Sequence, residues 1–174
     1  MEEKYCSQCG SKLEKRSCND EGMVPYCPTC QDFRFPMFNV AVSMIVLNEN
    51  KDQVLLIKQY GRNSYILVAG YVNKGEDAEV AVCREVKEEM GLDVQELSFN
   101  HSHYFEKSNT LMLNYTVIVN GKTNPNWEID SYAWFSIEEA KKNIRHGSLA
   151  EAFLLGYFDG SYDFLQADTH TLKK

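Results

Sequence analysis

Apolar residues gather into short runs after residue 39, and these runs predict the strands of a sheet. A continuous apolar run at 40–47 ends in polar turn residues, and runs at 53–58 and 65–69 follow it. Residues 110–119 instead alternate between apolar and polar positions, which predicts a strand with one buried face. At least four strands are therefore expected in this part of the chain.

A helical spacing begins at about Asp77 and ends at Gly91. Apolar residues recur every three or four positions between them, so they lie along one stripe of a helix. Glycine readily adopts the left-handed backbone that closes a helix, which makes Gly91 a natural C-terminal stop. Cys83 lies within this helix and is expected to be a small buried thiol. The stripe consists of Ala78, Ala81, Val82 and Val86.

Two further helices are indicated by the residues at which they begin. A serine followed three residues later by a glutamate is a capping-box signature, because each side chain can bind a backbone N–H of the first turn. Ser136 with Glu139 predicts a helix to about residue 146, and Ser148 with Glu151 predicts another to about residue 158. Residues 162–174 predict neither an element nor a role.

The first of these helices carries a dense acidic cluster. Glu85, Glu88 and Glu89 are spaced three and four residues apart, so we expect them to lie together on one face, opposite the apolar stripe. Like charges so placed repel each other, whereas hard cations such as Mg²⁺ and Mn²⁺ bind oxygen ligands of this kind. Arg84 is placed to pair with Glu88 one turn later or with Glu76 before the helix. The alternative interpretation is an ordinary solvated acidic face.

The spacing around the cluster is more specific than its charge. The segment 70–92 reads GYVNKGEDAEVAVCREVKEEMGL. It fits G-x5-E-x7-R-E-U-x-E-E-x-G-U at every fixed position, where U is apolar. This pattern is the Nudix box, and the chain therefore resembles the Nudix hydrolases without a gap or substitution in the box.

The Nudix resemblance implies a fold, a reaction and a metal. The fold is α/β (α+β), an α/β/α sandwich with a mixed sheet, and the reaction is hydrolysis of a nucleoside diphosphate linked to another moiety with Mg²⁺ or Mn²⁺. Carried over by position, Glu85 and Glu89 correspond to metal ligands, and Glu88 to a ligand or the general base. Arg84 joins them as a catalytic candidate, and Gly70 begins a loop whose backbone can approach the substrate closely.

Four of the six cysteines form two close pairs near the N-terminus. Two residues separate Cys6 from Cys9 and Cys27 from Cys30, and 17 residues lie between the pairs. Four thiolates at this spacing suit the tetrahedral Zn²⁺ site of a zinc ribbon, while a disulfide or redox role is the alternative. The sequence has no signal peptide and no apolar run that could span a membrane, so we expect a reducing, cytoplasmic location.

Composition and charge add limits to this picture. The 174 residues are 44% apolar, enough for a buried core, and their formal net charge of −7 argues against non-specific nucleic-acid binding. We expect a zinc ribbon at 1–35 and a Nudix domain at 36–174, divided where an aromatic segment, 33–38, begins.

A four-cysteine ribbon directly before a Nudix domain is similar to the NADH pyrophosphatases of this family. Those enzymes split NAD(H) into nicotinamide mononucleotide and AMP, act as homodimers, and in some cases remove NAD caps from RNA. The similarity implies a homodimer, a nucleotide substrate and capped RNA as a further partner. Those enzymes also carry a second motif, S-Q-P-W-P-F-P-x-S, which is followed by Leu-Met-Leu. Here Leu111-Met112-Leu113 is present. Residues 102–110, however, match the motif firmly only at Ser102, so the motif is degenerate.

Other candidate site residues lie after the box. Phe105 stands where the array has a tryptophan, and either it or Tyr104 could stack on a base or a nicotinamide ring, with core packing as the alternative. A further acidic metal ligand is common in the family on a later strand. Glu128 and Asp130, which share one face of an extended segment, are the candidates here, although both could be surface charges.

The sequence thus predicts a zinc-ribbon Nudix pyrophosphatase that cleaves NADH or NAD⁺ with Mg²⁺ or Mn²⁺. Hydrolysis of ADP-ribose, a nucleotide sugar or NAD-capped RNA is the alternative within the same class. An alternative from another class is a Nudix-derived sensor that binds a nucleotide or a partner without catalysis. The complete set of box glutamates argues against the sensor, since a pure binder does not need a metal cluster.

Overall fold

The computed structural model describes residues 3–162, which form two compact units. The first unit extends to Phe38 and the second begins at Asn39, so the chain divides three residues after the expected position. Of residues 162–174, for which the sequence predicts no role, only Tyr162 belongs to the described residues. Within residues 3–162, no helix combines the length and the apolar character needed to span a bilayer.

The described residues contain nine strands and three α-helices. The first unit holds β1 (Glu14–Ser17), β2 (Met23–Cys27) and β3 (Asp32–Phe33). The second holds β4 (Asn39–Leu47), β5 (Gln53–Gln59), β6 (Val68–Tyr71), α1 (Ala78–Met90), β7 (Asp93–Phe105), β8 (Thr110–Asn120), β9 (Ile129–Ser136), α2 (Ile137–Asn143) and α3 (Leu149–Asp159). Short 3₁₀ turns occur at Asn19–Glu21 and Glu106–Ser108.

The first unit is a small antiparallel sheet in the order β1-β2-β3. One cysteine pair lies before β1 and the other at the end of β2. Each pair is closed by a backbone hydrogen bond of 2.8 Å, from Gly10 to Cys6 and from Gln31 to Cys27. Gly10 and Gln31 both have a left-handed φ, 75° and 57°. The two turns therefore have the same form, although only the first contains glycine at this position.

The second unit is built on a mixed sheet in the order β7-β8-β4-β5-β9. Strands β4 and β8 are parallel, and the other pairings are antiparallel. Two strands share one edge of β4. Strand β6 pairs with the first half of β4, and strand β5 pairs with the last two residues of β4. This change of partner leaves the first half of β4 beside a short strand that leads directly into α1.

Helices cover both faces of the sheet. Val82, Val86 and Met90 of α1 join one core cluster with residues of β4, β5 and β8. Phe153 and Leu154 of α3 join a second cluster on the opposite face. The predicted α/β/α sandwich with a mixed sheet is therefore confirmed. The expectation that residues 110–119 are buried on one face only is wrong, because helices pack on both sides of the sheet.

Helix α1 begins and ends where the sequence predicts. Asp77 is the N-cap residue, and Gly91 closes the helix with φ 71° while its N–H donates to the Lys87 carbonyl at 2.9 Å. Cys83 does not behave as predicted, because it is exposed. Its neighbour Val82 is fully buried, and one residue is about 100° of rotation around the helix.

The other helices show how tertiary contacts change their ends. Helix α2 has the full capping box predicted from Ser136 but stops at Asn143, because Ile144 turns to an extended conformation and is buried. At α3 only the serine half forms, since the Glu151 carboxylate instead accepts from the Gly147 N–H at 2.7 Å. The strand expected at 65–69 also starts late, at Val68.

Candidate active site

A cavity of about 460 Å³ lies beside the first half of β4. Ala41 of β4, Tyr71 of β6 and Met112 of β8 are neighbours in the sheet and all line it. Helix α1 supplies the charged wall, and the segment before β9 supplies one further carboxylate. The predicted site residues in the lining are Gly70, Arg84, Glu85, Glu88, Glu89, Phe105 and Glu128.

Gly70 lies directly against the carboxylate of Glu85. A β-carbon at this position would overlap the carboxyl group of Glu85. The Glu85 side chain is correspondingly only 13% exposed. The first glycine of the box therefore makes room for one of its glutamates, while its predicted contact with substrate stays a prediction.

Arg84 joins the loop to the helix. Its Nε donates to Glu76 at 2.7 Å, and its Nη2 donates to the Tyr71 carbonyl at 2.9 Å. Its Nη1 donates to Glu85 at 2.7 Å and to Glu88 at 3.1 Å. Both pairings considered from the sequence are present at once, together with a third to Glu85. Every guanidinium nitrogen of Arg84 therefore donates to the protein, and its contacts connect three carboxylates with the backbone of the box loop.

The electrostatics of this contact are strong at Glu76. The hydrogen bonds from Arg84 and from the Asn73 backbone lower the pKa of Glu76 to about 2. The hydrogen bond to Glu76 is in turn the largest cause that raises the pKa of Arg84 above its ordinary value. Burial acts in the opposite direction and is outweighed. Both groups are therefore charged at neutral pH, and their ion pair fixes the box loop to α1.

Glu89 is the unusual member of the cluster. It is 5% exposed, and its Oε2 has no hydrogen-bond partner among the described residues. Burial, followed by the charges of Glu85, Glu128 and Glu88, raises its pKa to about 8. A buried carboxylate among like charges is costly unless a proton or a cation neutralises it. The residues present therefore fit a divalent cation bound through carboxylate oxygens.

The expectation that the three box glutamates lie opposite the apolar stripe of α1 is wrong. At about 100° of rotation per residue, Glu85 and Glu89 fall within about 20° of Ala78, inside the stripe. Glu89 is accordingly buried on the same side of the helix as Val82 and Val86. The side chain of Glu88 is 58% exposed, whereas Glu85 and Glu89 are largely buried. The cluster therefore has an inner part, which can hold a cation, and an outer part, which solvent can reach.

The structure separates the two candidates for a further ligand. Glu128 lines the cavity, and its charge contributes to the raised pKa of Glu89. Asp130 does not line the cavity, and its Oδ2 accepts a hydrogen bond from the Gly61 N–H at 2.7 Å. Of the two carboxylates, only Glu128 therefore lies in the cavity with the box glutamates, while Asp130 binds the backbone of a turn.

The two aromatic candidates for stacking on a substrate ring also differ in position. Phe105 lines the cavity, but Tyr104 does not. Tyr104 is 48% exposed, and its hydroxyl donates to Asn109 at 2.6 Å. Consecutive residues of a strand point to opposite faces, so only one of the two could reach the site. The sequence offered no means of choosing between them, because the register of β7 was not known.

Several lining residues were missed from the sequence. Tyr60 has a left-handed φ of 56°, and the buried Oε1 of Gln59 has no partner among the described residues. A Tyr-Gly pair at the end of an apolar run marks a turn, but it carries no chemical signature. These missed residues include Gln59, Tyr60, Tyr71, Ser108 and Thr110.

The first unit contains the second candidate metal centre. The sulfur atoms of Cys6, Cys9, Cys27 and Cys30 all lie within 4.8 Å of one another. The Cys6–Cys30 and Cys9–Cys27 distances are 3.9 and 3.4 Å, too long for disulfides. Ligands at about 2.3 Å from a tetrahedral zinc ion would be about 3.8 Å apart. The group can therefore hold a tetrahedral metal ion.

The guanidinium group of Arg34 donates a hydrogen bond to one of these thiols. Burial of Cys6 acts to raise its pKa, but hydrogen bonds from the Arg34 side chain and from the Cys9 and Gln8 backbones outweigh it and lower the pKa to about 6. The Arg34 Nε lies 3.2 Å from the Cys6 sulfur. Cys6 is therefore largely thiolate at neutral pH, which is the form that binds metals.

The fold and the carboxylate cluster agree with the comparison with protein families. The NUDIX domain model matches residues 37–153, which is more than half of the chain, and the chain therefore belongs to the NUDIX family. Among solved structures, a NUDIX hydrolase from Nitrosomonas europaea shares the fold, with a TM-score of 0.60 at 20% identity over 91% of this chain and 94% of that one.

Two relatives support the resemblance to the NADH pyrophosphatases. The NAD-capped RNA hydrolase NudC of Pseudomonas aeruginosa is 33% identical over 139 residues, 78% of this chain and 48% of that protein. The mitochondrial NAD(P)H pyrophosphatase NUDT13 of Mus musculus is 30% identical over 154 residues, 84% of this chain and 42% of that protein. The chain thus spans about half the length, or less, of the relatives it matches.

Proposed function

We propose that this protein hydrolyses the pyrophosphate bond of a nucleoside diphosphate derivative with the help of Mg²⁺ or Mn²⁺. The observation that carries the proposal is the buried carboxylate of Glu89, whose Oε2 has no partner among residues 3–162. Glu85, Glu88 and Glu128 line the same cavity, so negative charge is concentrated where it can be neutralised by a cation. A binding module without catalysis has no use for this costly arrangement.

The carboxylates have separate roles in this proposal. Glu85, Glu89 and Glu128 would hold the cation, which when bound lowers the pKa of a water molecule and offsets charge on the phosphoryl oxygens. Glu88, the most exposed of the box glutamates, would accept the proton of the attacking water. Arg84 would orient Glu85 and Glu88 through the hydrogen bonds that it donates to both.

The proposed substrate is NADH or NAD⁺, cleaved to nicotinamide mononucleotide and AMP. The names of both relatives support a substrate with an NAD moiety. Phe105 in the cavity lining offers a ring on which a base or a nicotinamide could stack. NAD-capped RNA is the second candidate, favoured by the name of the Pseudomonas relative. ADP-ribose and nucleotide sugars contain the same bond.

The first unit has a structural role in this proposal. We assign Zn²⁺ to the four cysteines, because their sulfur separations match a tetrahedral site and all four ligands come from the protein. The unit would then be the zinc ribbon expected before the Nudix domain. The similarity to NADH pyrophosphatases also supports a homodimer, which sedimentation or light scattering would measure.

A hydrolysis panel tests the proposed function. The protein is incubated with Mg²⁺ or Mn²⁺ and with NADH, NAD⁺, ADP-ribose, a nucleotide sugar or NAD-capped RNA, and products are separated by chromatography. Release of nicotinamide mononucleotide and AMP, absent from Glu88→Gln, is the expected result. Faster cleavage of another pyrophosphate would change the substrate and keep the reaction. Nucleotide binding without hydrolysis of any compound would instead support the sensor and refute the enzyme.

A further inference from the structure

Tyr60 lies in the cavity lining with a backbone conformation that tyrosine rarely adopts. Its φ is 56°, and the next residue, Gly61, has a φ of 68°. Glycine accepts this region without penalty, whereas the β-carbon of a bulky residue makes it unfavourable. Tyr60 is also 63% exposed, so burial of its ring does not account for its presence. A strained residue at a site points to a function of its side chain.

The hydroxyl group of Tyr60 makes a specific contact. It donates a hydrogen bond to the Oε2 of Glu128 at 3.0 Å. Glu128 is the carboxylate that joins the box glutamates in the cavity. A carboxylate has two oxygens, so a hydrogen bond to one of them orients the group and leaves the other able to bind a cation. Groups that hold metal ligands in this way commonly tune metal affinity.

The turn that carries Tyr60 is held from a second side. The Oδ2 of Asp130 accepts a hydrogen bond from the Gly61 N–H at 2.7 Å. The pairing of β5 with β9 skips Asp130, which is therefore the extra residue of a β-bulge. Bulges redirect side chains. Here Glu128, before Ile129, accepts from Tyr60, and Asp130, after Ile129, accepts from the next residue of the turn, Gly61. Two contacts thus link the turn to the segment that supplies Glu128.

We infer that Tyr60 is a positioning residue of the metal centre, whose hydroxyl orients the Glu128 carboxylate toward a divalent cation. The Asp130–Gly61 hydrogen bond fixes the turn that presents this hydroxyl. The inference rests on the proposed function, because it takes Glu128 as a metal ligand. It gives the phenol hydroxyl, rather than the ring, the essential role.

Mn²⁺ binding to the full-length, zinc-loaded protein tests the inference without substrate. Free Mn²⁺ is measured by electron paramagnetic resonance for the wild type, Tyr60→Phe, Glu128→Gln and the double variant. We expect Tyr60→Phe to weaken binding by about tenfold and the double variant to bind no more weakly than Glu128→Gln. Tyr132→Phe, on strand β9 and outside the cavity lining, is the matched control and should bind as the wild type does.

The outcomes separate the inference from the proposed function. Unchanged affinity in Tyr60→Phe, or losses that add in the double variant, would overturn the inference, because the hydroxyl would then not act through Glu128. Unchanged affinity in Glu128→Gln would overturn it as well. A wild type that binds no Mn²⁺ would overturn the proposed metal centre, and the inference with it.

A second variant distinguishes positioning from a structural role. Tyr60→Gly removes the hydroxyl and also relieves the left-handed backbone. We expect its thermal midpoint to rise by about 2–4 °C while its Mn²⁺ affinity falls. A residue that only stabilised the fold would lower the midpoint when it is removed, and that result would count against the inference.

Discussion

The two candidate metal centres differ in how their ligands are supplied and in what they leave open. The cysteine cluster consists of four side chains from two short turns of the first unit, and its sulfurs all lie within 4.8 Å of one another. The carboxylate cluster combines neighbours on α1 with Glu128 from a distant segment, and it borders a cavity. A site closed by protein ligands stabilises a fold, whereas an open one leaves room for water and substrate. In the proposed function, the first centre therefore has a structural role and the second a chemical one.

The largest expected effect comes from breaking the closed centre. Cys6→Ser combined with Cys9→Ser should abolish zinc binding and unfold the first unit, because a structural zinc site contributes on the order of 10 kcal/mol to folding. Elemental analysis and circular dichroism measure the two effects. Mn²⁺ binding should persist, since every proposed ligand lies in the second unit. A wild type that folds without bound zinc would contradict this assignment.

Breaking the open centre should remove activity and leave the fold. Glu88→Gln is expected to lower kcat by about 10²–10⁴-fold, because it removes the proposed proton acceptor. The melting temperature should change little, since this side chain is 58% exposed. Glu138→Gln, at an exposed position of α2, serves as the control. Near-normal turnover in a folded Glu88→Gln variant would show that another group accepts the proton.

The open centre should also give the metal-free protein a distinctive pH dependence. The pKa of Glu89 is raised from 4.5 to about 8, so the folded state binds its proton more tightly than the unfolded state does. Its contribution to stability is therefore greatest below about 4.5 and is lost as the pH rises toward 8, by at most about 1.4 kcal/mol per pH unit.

Glu89→Gln isolates this contribution. Denaturant unfolding at pH 5 to 9 without divalent cations should show the wild type losing stability relative to the variant as the pH rises. Added Mg²⁺ or Mn²⁺ should reduce the difference, because a cation replaces the proton. Parallel profiles for the two proteins would mean that Glu89 is not the neutral, buried group described here.

The smallest effect concerns the second cysteine turn. Gln31 has the same left-handed backbone as Gly10 in the first turn, φ 57° against 75°. Gln31→Gly should therefore stabilise the zinc-loaded protein by about 0.5–1 kcal/mol, measured by thermal unfolding. Gln31→Ala, which keeps the β-carbon, should give no such gain. Equal midpoints for the glycine and alanine variants would show that the turn is not strained.

The box helix shows how far local pattern can be trusted. Its start at Asp77, its stop at Gly91 and its apolar stripe follow from contacts within one or two turns, and all are present. The burial of its other residues follows the same local geometry, although the expectations for Cys83 and Glu89 were wrong. At about 100° of rotation per residue, Glu89 lies within the apolar stripe and is buried, whereas Cys83 lies beyond its edge and is exposed.

The sequence by itself determined the family box, the cysteine pairs and the elements that carry them, because each depends on residues close together along the chain. Tertiary structure decided which groups share the cavity. It brought Glu128 to the box glutamates and turned Asp130 to Gly61, it chose Phe105 over Tyr104, and it placed Tyr60 beside Glu128. The physical reason is that strand register and bulges set which way a side chain points, and register is fixed by pairing between distant segments.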